Sequence, residues 1–159
     1  LNAHTTTAAT IIGGGVKNNV IPTVAEATIN FRILPGETLE SVKAHIESVI
    51  SDKVRVEPVG FLTNPSPVSS VASESYFTLQ KTIRGLFPEA IVVPGLVGGG
   101  KDARYFYDIA EDVYRFYPMR LNSESMTRFH GIDEKISKEN YQEIMQFSYH
   151  LIKEFDKAN

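Results

Sequence analysis

A regular alternation of apolar and polar side chains is the feature that most restricts how this chain can fold. In the segment Val24–Ile33, every second residue from Ala25 onward is apolar, and polar residues stand between them. Because successive side chains of a strand point to opposite faces, the alternation predicts a strand with one packed and one polar face. Arg32 projects from the polar face, where it lies either against solvent or against a ligand.

The elements around this strand predict a small first unit of α/β type. Thr38 is expected to cap a helix, because an apolar stripe with 3-4-3 spacing begins at the next residue and runs to Ile50. Further strands are expected over Thr5–Ile12 and Val54–Val59. The Pro/Ser/Asn-rich residues 62–73 then predict a linker, so we expect one domain over 1–62 and a second over 63–159.

The second unit is predicted to mix helices and strands as well, which makes α/β the fold class of the whole chain. We expect three helices, two strands and one irregular loop in it. In chain order, the predicted elements are a helix over Ser75–Phe87, a strand over Ala90–Val97, a short helix from Asp102, a strand over Asp112–Tyr117, an irregular loop over 118–136 and a helix from Ser137.

Composition excludes several classes of protein. The 159 residues carry a net charge of -3 and no cluster of Lys and Arg, so we expect no nucleic-acid binding. The apolar runs are short and broken by Gly and Pro, so we expect no membrane span. Without cysteine, a metal site must use His, Asp or Glu. The start at Leu1 is expected to be the interior of a longer protein, and the compartment stays open.

A glycine-rich turn, Gly95–Asp102, is the first candidate for chemistry. Backbone N–H groups exposed by glycines before a helix favour a bound anion. The spacing of Gly95, Gly100 and Lys101 imitates a nucleotide-binding loop, but Asp102 stands where Ser or Thr is needed for magnesium. A small carboxylate is therefore favoured over a nucleotide, and a plain tight turn stays the alternative.

His130 is the best candidate for a metal ligand among four histidines. It lies in a loop, is followed by Gly131, and precedes two carboxylates at Asp133 and Glu134. Neutral imidazole is a common zinc ligand, and neighbouring carboxylates can orient it. One imidazole is too few for a metal site, so either the protein has no such site or most of its ligands lie outside this sequence.

Several motifs, in this order, give the chain a resemblance to the dinuclear zinc metallopeptidases and amidohydrolases that include aminoacylase, acetylornithine deacetylase, carboxypeptidase G and carboxypeptidase S. It resembles the carboxypeptidase S branch, with its N-acyl-amino-acid synthase/hydrolases, in particular. The segments that carry the resemblance are Gly15–Pro22, Ala27–Gly36, Phe87–Glu89, Gly99–Phe106, Tyr114–Pro118 and Phe129–Glu134.

The resemblance implies a zinc-exopeptidase-like catalytic domain interrupted by an α+β lid that also forms a homodimer. Residues 1–62 are then the second half of the lid, and 63–159 the closing stretch of the catalytic domain. It also implies a metal ligand at His130, substrate contacts from Asn19 and Arg32, and a backbone contact to substrate from Gly100. The family's usual Thr after this glycine is Lys101 here.

The remaining metal ligands and the paired glutamates of that family have no counterpart in these residues. The resemblance therefore implies two zinc ions per complete site, held mainly by an N-terminal part of the catalytic domain outside this chain. We expect a fragment of a hydrolase that cleaves amide or peptide bonds of N-acyl amino acids or peptides and is inactive alone. The alternative is a non-catalytic dimerisation or small-anion-binding module.

Overall fold

The computed structural model describes residues 4–97 and 102–157, and it confirms the mixed α/β class. The chain divides into two compact units, one of Leu1–Val68 with Leu96–Tyr107 and one of Ser69–Gly95 with Asp108–Asn159. The elements are β1 (Thr6–Gly14), β2 (Ala25–Arg32), α1 (Leu39–Val49), α2 (Glu74–Leu86), a 3-10 helix (Asp102–Phe106), α3 (Ser123–Arg128) and α4 (Lys138–Asp156).

The first unit is built on an antiparallel hairpin of β1 and β2. The ladder runs from the pair Thr6 and Arg32 to the pair Gly14 and Ala25, with a bulge near Ala9. Phe31 is half-buried beside the exposed Arg32, as the alternation predicts, whereas Ile29 is exposed. Among the described residues no helix packs on these strands, so the predicted packed face forms only at the end of β2.

Helix α1 begins as predicted, at the cap Thr38. The Thr38 hydroxyl accepts a hydrogen bond from the backbone N–H of Ser41 at 3.1 Å, and the Ser41 hydroxyl accepts one from the Thr38 N–H at 2.9 Å. These bonds satisfy donors that the first turn of a helix leaves open. The Asn64 side chain accepts from the Leu39 N–H at 2.8 Å and so ties the irregular segment after α1 to the start of the helix.

The second unit has its core between α2 and α4. Leu79 and Ile83 of α2 are buried against Phe147 of α4, and the Phe116 ring packs edge-on to Phe147 with centroids 5.1 Å apart. Both helices begin close to their predicted starts, at the caps Ser73 and Ser137.

A buried amide fixes the segment before α3 onto α4. The Asn140 side chain donates to the Pro118 carbonyl at 2.8 Å and accepts from the Arg120 N–H at 2.9 Å. Arg120 also forms two charge-assisted hydrogen bonds to Glu143, at 2.6 and 2.7 Å. Because Asn140 is buried with these bonds made, its loss would leave backbone groups of this segment unsatisfied.

Three predicted strands are wrong. Val54–Val59, Ala90–Val97 and Asp112–Tyr117 are irregular, since no strand in the described part of the chain lies beside any of them. The last of these is held differently, by bonds between Ser69 and Val113 at 2.8 and 3.1 Å. A strand needs a partner for its backbone groups, which an apolar run by itself does not supply.

The predicted irregular loop over 118–136 contains a helix, α3. The Asn122 side chain caps α3 by accepting a hydrogen bond from the Ser125 N–H at 2.8 Å. The Ser125 hydroxyl in turn accepts a hydrogen bond from the Asn122 N–H. Asn followed three residues later by Ser is a variant of the capping box, and this local signal marks the start of α3 in the sequence. No helix in residues 4–97 and 102–157 is long and apolar enough to cross a membrane.

The core contact of α4 predicts a large difference between two of its apolar residues. Phe147 is 4% exposed and Ile152 is 70% exposed. Phe147→Ala is expected to lower the free energy of unfolding by about 3–5 kcal/mol, because it removes buried area and leaves a cavity. Ile152→Ala is the control and should cost less than about 0.5 kcal/mol. Equal losses in urea unfolding would contradict this core.

The ion pairs of Glu154 predict a loss of stability in acid. Hydrogen bonds from Lys157 and Lys81, with their charges, lower the pKa of Glu154 from 4.5 to about 2. A carboxyl whose pKa is lower when folded stabilises the protein above its unfolded pKa, and this is lost as pH falls from 4.5 toward 2.

The measurement is the free energy of unfolding at pH 7 and pH 3. Wild type should lose more stability between these values than Glu154→Gln, which has no charge to lose. Glu111→Gln serves as control, because Glu111 has no ion pair among the described residues and the variant should follow wild type. Identical pH profiles for all three proteins would contradict the prediction.

Candidate functional site

His130 lies in a turn between α3 and α4 whose backbone is unusual. His130 has φ 60° and Asp133 has φ 62°, both in the left-handed region that L residues other than Gly rarely adopt. Gly131 stands between them because space is short: a Cβ there would lie 3.2 Å from the Arg128 carbonyl oxygen. We call residues 129–136 the histidine loop.

Backbone bonds close the first half of the histidine loop. The Gly131 N–H donates to the Arg128 carbonyl at 2.8 Å, and the His130 N–H reaches the Glu134 carboxylate at 3.3 Å. The Phe129 ring meets the imidazole edge-on, with centroids 4.8 Å apart. The imidazole itself is exposed, so a ligand or a metal ion can approach it.

Charged side chains hold the second half. Asp133 lies 3.0 Å from the Lys135 ammonium and 3.5 Å from the Arg128 guanidinium. The hydrogen bond from Lys135 and its charge, together with the charge of Arg128, lower the pKa of Asp133 below its usual value. Asp133 therefore stays ionised at neutral pH.

The described residues do not by themselves form a metal centre. No group of three or more His, Asp or Glu side chains that could hold an ion occurs in residues 4–97 and 102–157. A zinc site uses three or four protein ligands, so this part of the chain fits zinc only as the donor of one imidazole. The role of His130 as such a ligand stays a prediction from the sequence.

Asn19 and Arg32 both belong to the first unit and stand at different ends of its ladder. Asn19 is exposed in the turn between β1 and β2, which the Val20 N–H closes onto the Lys17 carbonyl at 3.4 Å. Arg32 is the last residue of β2, opposite Thr6 at the far end. It is exposed, and no carboxylate of the described residues forms an ion pair with it.

Gly100 and Lys101 lie outside the described residues. The short helix expected after them is present as the 3-10 helix from Asp102. Arg104 within it lies with its guanidinium carbon 4.6 Å from the ring centroids of Phe61 and Tyr105. This cation–π cluster belongs to the first unit and was not foreseen from the sequence, since Phe61 is far away along the chain.

His130 stands out in the sequence, whereas the residues that hold its loop do not. Asp133 is expected from the sequence only as a carboxylate that could orient the imidazole, and no role is expected for Arg128. A cation two residues before His-Gly and a carboxylate two residues after it is a signal that could have pointed to an ion pair across a turn. The left-handed conformation of Asp133 could not be read from residue types, although Asp tolerates that region better than most.

Several known proteins are similar in sequence to this chain. A family model described as a peptidase dimerisation domain matches residues 1–57. Probable carboxypeptidase S-like 2 of Dictyostelium discoideum is 42% identical over 97% of this chain, which covers 30% of that protein. The N-fatty-acyl-amino acid synthase/hydrolase of Homo sapiens is 39% identical over 96% of the chain, which covers 31% of it.

A zebrafish (Danio rerio) N-fatty-acyl-amino acid synthase/hydrolase is 40% identical over 98% of the chain. The chain thus spans about a third of the length of these curated relatives, while nearly all of its own residues align with them. No solved structure matches the chain significantly.

Proposed function

We propose that this chain is the C-terminal portion of a zinc-dependent amide hydrolase. The chain belongs to the peptidase family that includes the carboxypeptidase S-like proteins and the N-fatty-acyl-amino acid synthase/hydrolases. The substrate class is N-acyl amino acids or peptides. The observation that carries the proposal is the similarity to these proteins over almost the whole chain.

The proposed division gives residues 1–62 to the second half of a lid and residues 63–159 to the end of a catalytic domain. The family match to a dimerisation domain over residues 1–57 supports the first part. Residues 62–73 contain neither helix nor strand, which supports a connection there. Such a chain needs the N-terminal part of the catalytic domain as its partner.

A homodimer through the lid is part of the same proposal. The hairpin has two strands, so each has one edge without a strand beside it among the described residues. Ile12 on β1 and Val24 just before β2 are exposed. Free strand edges beside exposed apolar side chains favour association with another chain, and the dimerisation domain match favours a second copy.

In the proposed enzyme, zinc ions supply Lewis-acid activation of a water molecule. The contribution of this chain to that centre is the exposed imidazole of His130 as one ligand. The histidine loop presents this imidazole from the turn before α4, whose start is fixed by its cap Ser137. The other ligands and the general base belong to the partner portion.

Substrate binding is assigned to the first unit and to the glycine-rich turn. Arg32 is exposed and lacks an ion pair within the described residues, so its fork of N–H donors is available for a carboxylate or an acyl oxygen. Asn19 offers an amide to the same kind of group. Gly100 is proposed to contribute a backbone contact, which a side chain would obstruct.

A non-catalytic dimerisation or small-anion-binding module is the second candidate. The observation that favours it is that the described residues contain no cluster able to hold a metal. The two candidates differ in what the longer protein contains. A His-x-Asp motif and a Glu-Glu pair upstream of Leu1 would establish the enzyme, and their absence would leave the module.

The role of His130 predicts the metal content of the complete enzyme. His130→Ala should lose one zinc ion per site and most hydrolysis of an N-acyl amino acid, because one ligand of three or four is removed. His150→Ala is the control, since His150 is an exposed residue of α4. The measurements are the zinc content and the hydrolysis rate of both variants. An unchanged zinc content in His130→Ala would show that His130 is not a metal ligand.

The role of Arg32 predicts a binding defect without metal loss. Arg32→Ala should raise KM by roughly 10- to 100-fold, because a charge-assisted bond to the substrate carboxylate contributes about 1.5–3 kcal/mol. Zinc content should stay at the wild-type level. Arg55→Ala is the matched control, because Arg55 is exposed in the same unit and pairs with Glu57. An unchanged KM in Arg32→Ala would exclude substrate contact.

A further inference from the structure

The histidine loop holds two residues in a backbone conformation that neither favours. A free turn of this composition would relax His130 and Asp133 to negative φ, since the left-handed region is unfavourable for residues with a Cβ. Strained conformations persist only where surrounding contacts impose them. The contacts of the loop must therefore include one that opposes this relaxation.

Arg128 makes contacts at both ends of the strained turn. Its carbonyl accepts the Gly131 N–H at 2.8 Å, directly after His130. Its guanidinium lies 2.6 Å from Glu124, one turn earlier on α3, and 3.5 Å from Asp133. The Arg128 side chain is 30% exposed, against 72% for Glu124 and 62% for Asp133, so it is the most enclosed member of this group.

We propose that Arg128 is the positioning residue of His130: its guanidinium connects α3, through Glu124, to Asp133 and so holds the histidine loop in its left-handed form. The importance of this for zinc rests on the function proposed above. The conformational statement about His130 does not, because it concerns only residues of this chain.

Lys135 contacts the same carboxylate without having this effect. Its ammonium lies 3.0 Å from Asp133, but both residues belong to the loop, so their contact does not connect the loop to a helix. Arg128 is the last residue of α3, and its partner Glu124 lies in the first turn of that helix. Within residues 4–97 and 102–157, Arg128 is the residue whose side chain forms ion pairs with both α3 and the turn.

The first experiment measures the conformation of His130 in the 159-residue chain by NMR. The NOE between the N–H and Hα protons of His130 reports φ, because the two protons are eclipsed and close at φ 60° and move apart at negative φ. The shift of the imidazole protons reports the edge-on Phe129 ring at 4.8 Å. Arg128→Met should change both toward values averaged over several conformations. Lys135→Met, the matched control, should keep both.

Glu124→Gln is the second variant and covers the case in which Arg128→Met does not fold. It leaves the arginine in place and weakens its hold on α3, so it should move both signals in the same direction. Variants are compared at equal helix content. A wild-type NOE and ring shift in a folded Arg128→Met or Glu124→Gln protein would overturn the proposal.

The second experiment measures zinc affinity in the complete enzyme. Arg128→Met should weaken zinc binding by about 10- to 100-fold, the usual effect of losing a group that orients a metal-bound histidine. Arg128→Lys, which keeps the charge but not the fork, should recover part of the affinity. Wild-type affinity in Arg128→Met, beside zinc loss in His130→Ala, would overturn the positioning role and leave the proposed function standing.

If His130→Ala keeps its zinc, the proposed metal role fails, and the NMR measurement alone decides the inference. The NOE between the N–H and Hα protons of His130 in Arg128→Met then supports or overturns the conformational role of Arg128 without reference to any metal.

Discussion

The packing of α2 against α4 is the interaction on which the second unit depends. Leu79 and Ile83 meet Phe147 in its core, and the partly buried Tyr114 and Leu151 pack around them. Asn140 and Glu143 of α4 bind Arg120 and so fix the segment that leads into α3. Since the histidine loop runs from the end of α3 to the cap of α4, its position follows from where that core places α4.

The loop shows how local strain and long side chains work together. A glycine alone would allow a sharp turn, but the two left-handed residues here are His and Asp. The ion pairs of Asp133 supply the electrostatic attraction that holds the turn, and they are partly exposed, so each one contributes little by itself. The ion pair between Arg128 and Asp133 matters for the position of the turn, because the Arg128 guanidinium contacts both Glu124 of α3 and Asp133 of the turn.

Apolar surface is unevenly distributed in this chain. Helix α4 buries Ile144 and Phe147, yet Tyr141, Met145 and Ile152 along another face are exposed, as is Ile12 of the hairpin. A helix with apolar residues on two faces is typical of a position between other layers. This fits the proposal that the chain functions with further parts of the longer proteins it resembles.

The sequence by itself determined helices α1, α2 and α4 and the resemblance to a family, whereas α3 was not predicted. Thr38, Ser73 and Ser137 cap α1, α2 and α4 because a cap and an apolar stripe are local features that act within a few residues. The ordered motifs, such as Phe129–Glu134, are equally readable without a structure. They led to the family that the comparisons show, and to His130, Asn19, Arg32 and Gly100 as candidates.

Only the tertiary structure decided which apolar runs became strands and how the histidine loop is held. Val54–Val59, Ala90–Val97 and Asp112–Tyr117 have strand-like composition, but a strand forms only where a partner strand receives its backbone hydrogen bonds. Likewise, the left-handed turn at His130 depends on where the Arg128 guanidinium lies relative to Glu124 and Asp133. Such contacts arise after the chain has folded, so residue order alone does not reveal them.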